Sequence, residues 1–206
     1  MKLVSVRRTA LYITLTLVCG TMLLPIAWAV VSSLKPLGSV YAFPPTFRVE
    51  EPQWSNYGEA MTRLPVLRFL ANSLFITTVS VAGAVLTSSM AGFALATLRF
   101  RGRGLVLGMV IAMMMTPAQV LLVPRFVLYD LLGWIGTYKP LIVPAWLGGG
   151  AFNVLLFRQF FRTIPREFAD AARLDGASIW RTYRHVYIPM AKPAVIASAL
   201  LSFVYH

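Results

Sequence analysis

Residues 70–98 read LANSLFITTVSVAGAVLTSSMAGFALATL, 29 positions without one charged side chain. A helix of that length reaches about 43 Å at 1.5 Å per residue, more than the roughly 30 Å hydrocarbon core of a bilayer. Three more windows lack charge in the same way: Thr9–Ser33, Gly104–Pro124 and Pro140–Phe157. A fifth opens at Pro193 and runs into the C-terminus. Of the 206 residues 58% are hydrophobic and only 13% charged, about half the charged share of a soluble domain. That balance argues against a water-soluble enzyme. A charge at mid-bilayer costs about 2.5–3.5 kcal/mol, which explains why the charges stay between the windows. The expected fold is an all-α polytopic membrane protein with four complete transmembrane helices plus an incomplete fifth. Its spans lie near 10–31, 71–98, 105–123 and 141–157, with 194–206 incomplete, all in a single domain over 1–206.

The charges between the windows alternate in sign balance. Lys2, Arg7 and Arg8 precede the first window, Arg99, Arg101 and Arg103 follow the second, and seven bases from Arg158 to Lys192 follow the fourth. The other two loops hold only Lys35, Arg48, Arg63, Arg68, Arg125 and Lys139, nearly balanced by Glu50, Glu51, Glu59 and Asp130. The positive-inside rule then places the N-terminus and the loop 158–193 in the cytoplasm. The net charge of +12 is read as topology rather than as a nucleic-acid footprint. The first segment has a rival reading: its basic tail and Ala27-Trp28-Ala29 resemble a cleavable signal, although the uncharged run exceeds the usual signal core. The last window is short. Ala194–Tyr205 spans about 18 Å as a helix, so the segment is expected either to be truncated or to rest at the interface.

The spans carry packing signals and few chemical ones. Ser80, Ala84, Ser88, Gly92 and Ala96 form a small-residue ladder at four-residue spacing, which lets helix backbones approach closely. Met109, Met113, Met114 and Met115 precede Thr116-Pro117, a kink signal. Broken helices of this kind either line a solute path or are tolerated packing. Asn72, Gln119 and Asn153 face a pathway or bond between helices, and Gly148-Gly149-Gly150 loosens the fourth helix or lets it pack tightly. One cysteine, Cys19, and two histidines, His185 and His206, give no basis for a disulfide or metal site. No buried ionisable group marks an ion-coupling site, and no phosphate loop, nucleophile elbow or His-Glu-x-x-His pair occurs. No catalytic residue, cofactor or metal is expected. Uphill transport would draw its energy from another chain.

Residues 165–178, PREFADAARLDGAS, describe a helical hairpin. Pro165 suits a first turn, Glu167 and Asp170 place negative charge toward the positive helix end, and Asp175-Gly176 is a stop. Ser178 then caps a second helix with Ile179, Tyr183, Val186 and Tyr187 at helical spacing, and Ile188-Pro189 ends it. The only acids expected on the cytoplasmic side, Glu167, Asp170 and Asp175, fall within this knob. Beside the small Ala171 and Ala172 they suit docking into a partner cleft with a basic rim. The competing reading is an amphipathic loop lying on anionic headgroups.

This stretch resembles the signature of permease subunits of binding-protein-dependent ABC importers: Glu-Ala-Ala, three residues, Gly, nine residues, Ile-x-Leu-Pro. Here Asp170-Ala171-Ala172 is followed at the same spacings by Gly176 and by Val186-Tyr187-Ile188-Pro189. The departures are Asp for Glu, Val for Ile and Ile for Leu. Asp175-Gly176-Ala177-Ser178, Ser33-Leu34-Lys35-Pro36, Phe100-Arg101-Gly102-Arg103 and Phe157-Arg158-Gln159-Phe160-Phe161 are similar to the carbohydrate-uptake branch.

The resemblance implies six spans, so that the end of the fifth and all of the sixth are missing. It further implies a multi-pass protein of a bacterial or archaeal inner membrane. Its partners would be a second permease, an ABC ATPase dimer and an extracytoplasmic solute-binding protein. The implied function is the transmembrane subunit of an ATP-driven importer of sugar or a related polar solute, with the chain forming part of the translocation pathway. In that role the loop 158–193 couples to the ATPase. Asp170 makes the electrostatic contact, Ala171 and Ala172 the close fit, Gly176 the turn, and Pro189 the exit angle, with Glu167, Asp175, Val186 and Ile188 completing the coupling surface. The alternatives are an inactive truncated remnant, an ion-coupled carrier or channel, and a membrane protein whose knob recruits a soluble partner.

Overall fold

The computed structural model describes residues 2–205, with side chains from Arg8 onward; His206 and the side chains of Lys2 and Arg7 lie outside the described residues. It is helical throughout, with no strand among the described residues. By their internal contacts the residues group into two compact units, Met1–Phe69 and Leu70–His206. From Arg8 onward the first helix exposes nearly every side chain.

In the first unit α1 (Lys2–Ser33) contains Pro25, and its segment Arg8–Ser33 is long and apolar enough to cross a membrane. Two short helices follow, α2 (Leu37–Val40) and α3 (Ser55–Arg63). They close over the carbonyl end of α1, whose last groups have no partner within the helix. Asn56 Nδ2 donates to the carbonyls of Ser33 (2.9 Å) and Lys35 (3.0 Å), and the Gln53 amide donates to that of Leu34 (2.8 Å). Lys35 is almost fully buried. Its ammonium donates to the Thr46 carbonyl and lies 4.8 Å from the centre of the Trp28 ring, a cation–π seat. The Ser33-Leu34-Lys35-Pro36 stretch is thus a helix terminus tied down by one buried cation.

The second unit is built on α4 (Val66–Thr97), from Leu70 onward. After it come α5 (Arg103–Met115), a 3₁₀ turn (Ala118–Leu121) and α6 (Leu122–Leu131). Next are α7 (Lys139–Trp146), α8 (Ala151–Thr163) and α9 (Arg166–Leu174). Then α10 (Ile179–Thr182), a π turn (Tyr183–Tyr187), α11 (Ile188–Met190) and α12 (Lys192–Tyr205) complete the described chain. Val66–Thr97 and Lys139–Thr163 also have the length and apolarity of membrane spans.

In the third window, expected as a span over 105–123 with a kink at Pro117, the helix is broken. Arg103–Met115 and Ala118–Leu131 meet at 97°. Pro117 supplies no amide hydrogen and pushes Thr116 into an extended conformation (φ −85°, ψ 116°), so the helix turns a corner. A second corner, of 79°, separates Ile179–Met190 from Lys192–Tyr205.

The ladder on α4 is a buried seam. Ser80, Ala84, Ser88 and Gly92 are buried and Ala96 is half-buried. Ser80 Oγ donates to the Leu141 carbonyl (3.2 Å), tying α4 to α7. A Cβ at Gly92 would come within 2.6 Å of Phe157 Cβ and 2.9 Å of the Arg158 amide nitrogen. The three glycines between α7 and α8 all take positive φ and break the helix, and Gly149 alone packs tightly. At Gly149 φ is +63°, and a Cβ there would fall on the Ala84 carbonyl. Asn153 bridges helices: its Nδ2 donates to the Gly149 carbonyl (2.9 Å) and to Ser202 Oγ on α12 (3.0 Å).

Candidate functional site

The knob expected after the fourth window is a hairpin of α9, a four-residue turn and the helical run from Ile179. Its turn explains the spacing between Ala172 and Gly176. The Gly176 amide donates to the Arg173 carbonyl (3.0 Å) and the Ala177 amide to the Ala172 carbonyl (2.9 Å). With Gly176 at φ +76°, these two bonds form a Schellman motif, which demands a left-handed residue four positions after the acceptor of the longer bond. No atom outside its neighbours lies within 4 Å of where a Gly176 side chain would start, so its dihedral angle sets the requirement, not crowding. Ser178 caps the next helix by accepting the Arg181 amide hydrogen on its Oγ (3.2 Å).

The hairpin has two unlike faces. On the inner face Ala169, Thr182, Tyr183 and Tyr187 are buried. Tyr183 shares a 2.7 Å hydrogen bond with Ser89 of α4. Its ring centre lies 5.1 Å from that of Phe93, and Tyr187 lies 5.0 Å from Phe93 and 5.6 Å from Phe161. Aromatic pairs at these separations add about 0.5–1.5 kcal/mol each beyond their buried area. The hairpin is therefore welded to α4 and α8. Val186 and Ile188 are half-buried and pack against the same cluster.

Away from that packed face Glu167, Ala171, Asp175 and Gly176 are exposed and Ala172 is half-buried, while the exposed Asp170 borders a cleft toward α4 and α8. Asp170 lies 3.5 Å from Arg173 in a solvent-exposed pair, a contact worth little that leaves the carboxylate free to exchange partners. Pro189 sits exposed in the helix rather than at its end, and the chain turns at Ala191. The π turn just before it widens the helix where the proline ring would otherwise meet a preceding carbonyl. The structure thus leaves Asp170, Ala171 and Gly176 exposed and sends Val186 and Ile188 inward.

Sequence reasoning missed the anchors on the spans: Ser89, Phe93 and Phe161. The four-residue spacing of Phe157 and Phe161, both buried and stacked with ring centres 5.8 Å apart, was the available signal. Sequence reasoning read Arg158 as a topology charge and part of a family motif, whereas its Nε is buried without a hydrogen-bond partner.

A family model for binding-protein-dependent transport system inner membrane components matches residues 61–206. The sulfoquinovosyl glycerol transport system permease protein SmoH of Agrobacterium fabrum is 32% identical over 88% of this chain and 64% of its own length. The trehalose transport system permease protein SugB of Mycobacterium tuberculosis is 31% identical over 92% of this chain and 69% of its own. The chain therefore spans about two thirds of these relatives. A crystal structure of a bacterial ABC transporter involved in the import of the acidic polysaccharide alginate superposes with a TM-score of 0.81 at 26% identity, over 94% of this chain and 68% of that one. With the match over 61–206 and these membrane helices, the chain belongs to the family of binding-protein-dependent transport system inner membrane components, as a multi-pass helical membrane protein.

Proposed function

We propose that this chain is a transmembrane subunit of an ATP-driven importer of a carbohydrate or a related polar solute, and that the hairpin around Asp170–Gly176 couples it to a separate ATPase. One observation carries the reading: the hairpin presents an exposed acid and small residues outward while its other face is fixed to two helices of the membrane unit. A rigid element with that division transmits force from a partner to the spans. The relatives named for sulfoquinovosyl glycerol and trehalose support a carbohydrate solute. The family description supports an external solute-binding protein as partner, and the resemblance of the hairpin sequence implies a second permease and an ATPase dimer beside it. The charge distribution supports a cytoplasmic N-terminus and a cytoplasmic hairpin.

The test is ATP-driven uptake of trehalose and other sugars by the full-length chain with its partner subunits in vesicles. Gly176→Asp strains a left-handed turn and adds charge beside Asp175. The expected result is ATP hydrolysis that persists while uptake falls. Uptake unaffected by ATP depletion but abolished by collapsing an ion gradient would overturn the reading in favour of an ion-coupled carrier.

A further inference from the structure

Between the hairpin and the ends of α4, α5 and α8 lies a cleft of about 900 Å³, lined on the hairpin side by residues of α9, the turn and α10. Arg99, Arg103, Arg158, Arg162, Arg166 and Arg173 line it, and Asp170 is the only acid on its wall. Among the described residues the sole ion pair in this group is that of Arg173 with Asp170. Arg103 is held against the wall by donating to the carbonyls of Leu98 (3.3 Å) and Ala96 (3.4 Å). Arg158 is half-buried with its Nε unpartnered. Six guanidiniums around one carboxylate, with one buried N–H left unpartnered, give the cleft the chemistry of an anion site.

We propose that this cleft holds the phosphate headgroup of an anionic phospholipid. Depth along the spans favours a lipid over a soluble anion. Arg99, Arg103 and Arg158 are the first charges beyond three uncharged stretches, ending at Leu98, beginning at Gly104 and ending at Phe157. All three face the cleft, which therefore sits where hydrocarbon gives way to headgroups. Its floor includes Phe93, Phe161, Ile164 and Tyr187, an apolar surface suited to the glycerol end of a lipid. Basic pockets between membrane helices bind phospholipid headgroups in this way, at about 1 kcal/mol per basic residue. Because Tyr187 and Ala169 belong to both the cleft wall and the hairpin, a bound headgroup braces the hairpin against the spans. This inference does not rest on the ATPase reading.

The test is native mass spectrometry of the full-length chain with its partners, released from phosphatidylcholine nanodiscs doped with phosphatidylglycerol. Phosphatidylglycerol is expected to be retained. The pair Arg103→Gln and Arg158→Gln should weaken its retention about thirtyfold, two charges at about 1 kcal/mol each. Arg101→Gln with Arg181→Gln, which removes equal charge outside the cleft, should leave it within about twofold. The charge-preserving pair Arg103→Lys and Arg158→Lys guards against misfolding and should keep most of the retention. Equal retention by cleft and control variants would overturn the proposal. So would displacement of the lipid by an equal concentration of inorganic phosphate, which would mark a free-anion site. Loss of ATPase subunits from the cleft variant in phosphatidylcholine alone would also overturn it, by assigning the arginines to a protein partner.

Discussion

Glycine is used for opposite reasons in the seam of α4 and in the turn of the hairpin. At Gly92 and Gly149 the space of a side chain is already filled by Phe157, the Arg158 backbone or the Ala84 carbonyl. At Gly176 the space is empty and only the positive φ excludes other residues. The seam is a place of contact and the turn a place of shape. Helices in lipid cohere through close approach, whereas the hairpin turn needs only a backbone that bends with a positive φ. The same division separates Tyr183, buried and bonded to Ser89, from Asp170, exposed and loosely paired.

Substitutions that break this contrast should rank accordingly. Gly149→Ala meets both obstacles, a carbonyl and a left-handed backbone, and should destabilise the full-length chain by roughly 3 kcal/mol. The yield of folded protein from membranes and its thermal unfolding check this. Gly92→Ala meets crowding alone and should cost about 2 kcal/mol by the same measurements. Gly176→Ala meets only the dihedral restriction and should cost about 1 kcal/mol. If Gly176→Ala proved more damaging to stability than Gly92→Ala, the distinction between contact and shape would fail. Asp170→Asn should change stability by less than about 0.5 kcal/mol, since its pair with Arg173 is exposed. It should still lower co-purification of the ATPase.

Much of this contrast is legible in one dimension. The four-residue spacing from Ser80 to Ala96 marks the seam, and Asp175-Gly176 followed by Ser178 marks a helix stop and restart. Those features depend on neighbours along the chain. What sequence could not supply was the partner on the other side. Nothing local says that Ala84 meets Gly149, or that Tyr183 reaches Ser89, 94 positions away. The corner at Thr116-Pro117 shows the same limit. A proline announces a kink, but its 97° size depends on the extended backbone of Thr116 and the 3₁₀ turn after it. The arginine cleft is the clearest case. Its members are scattered from Arg99 to Arg173, and read singly they look like topology signals.

The central claim is that the tip of the hairpin is gripped by a motor on its own side of the membrane. A full-length chain carrying Ala171→Cys, with Cys19→Ser to remove its one native thiol, tests this by thiol crosslinking in native vesicles. The expected product joins the introduced thiol to an ATPase subunit, and ATP binding changes its yield. Crosslinks that never include an ATPase, or labelling of that thiol by a reagent confined to the opposite side of the membrane, would contradict the account.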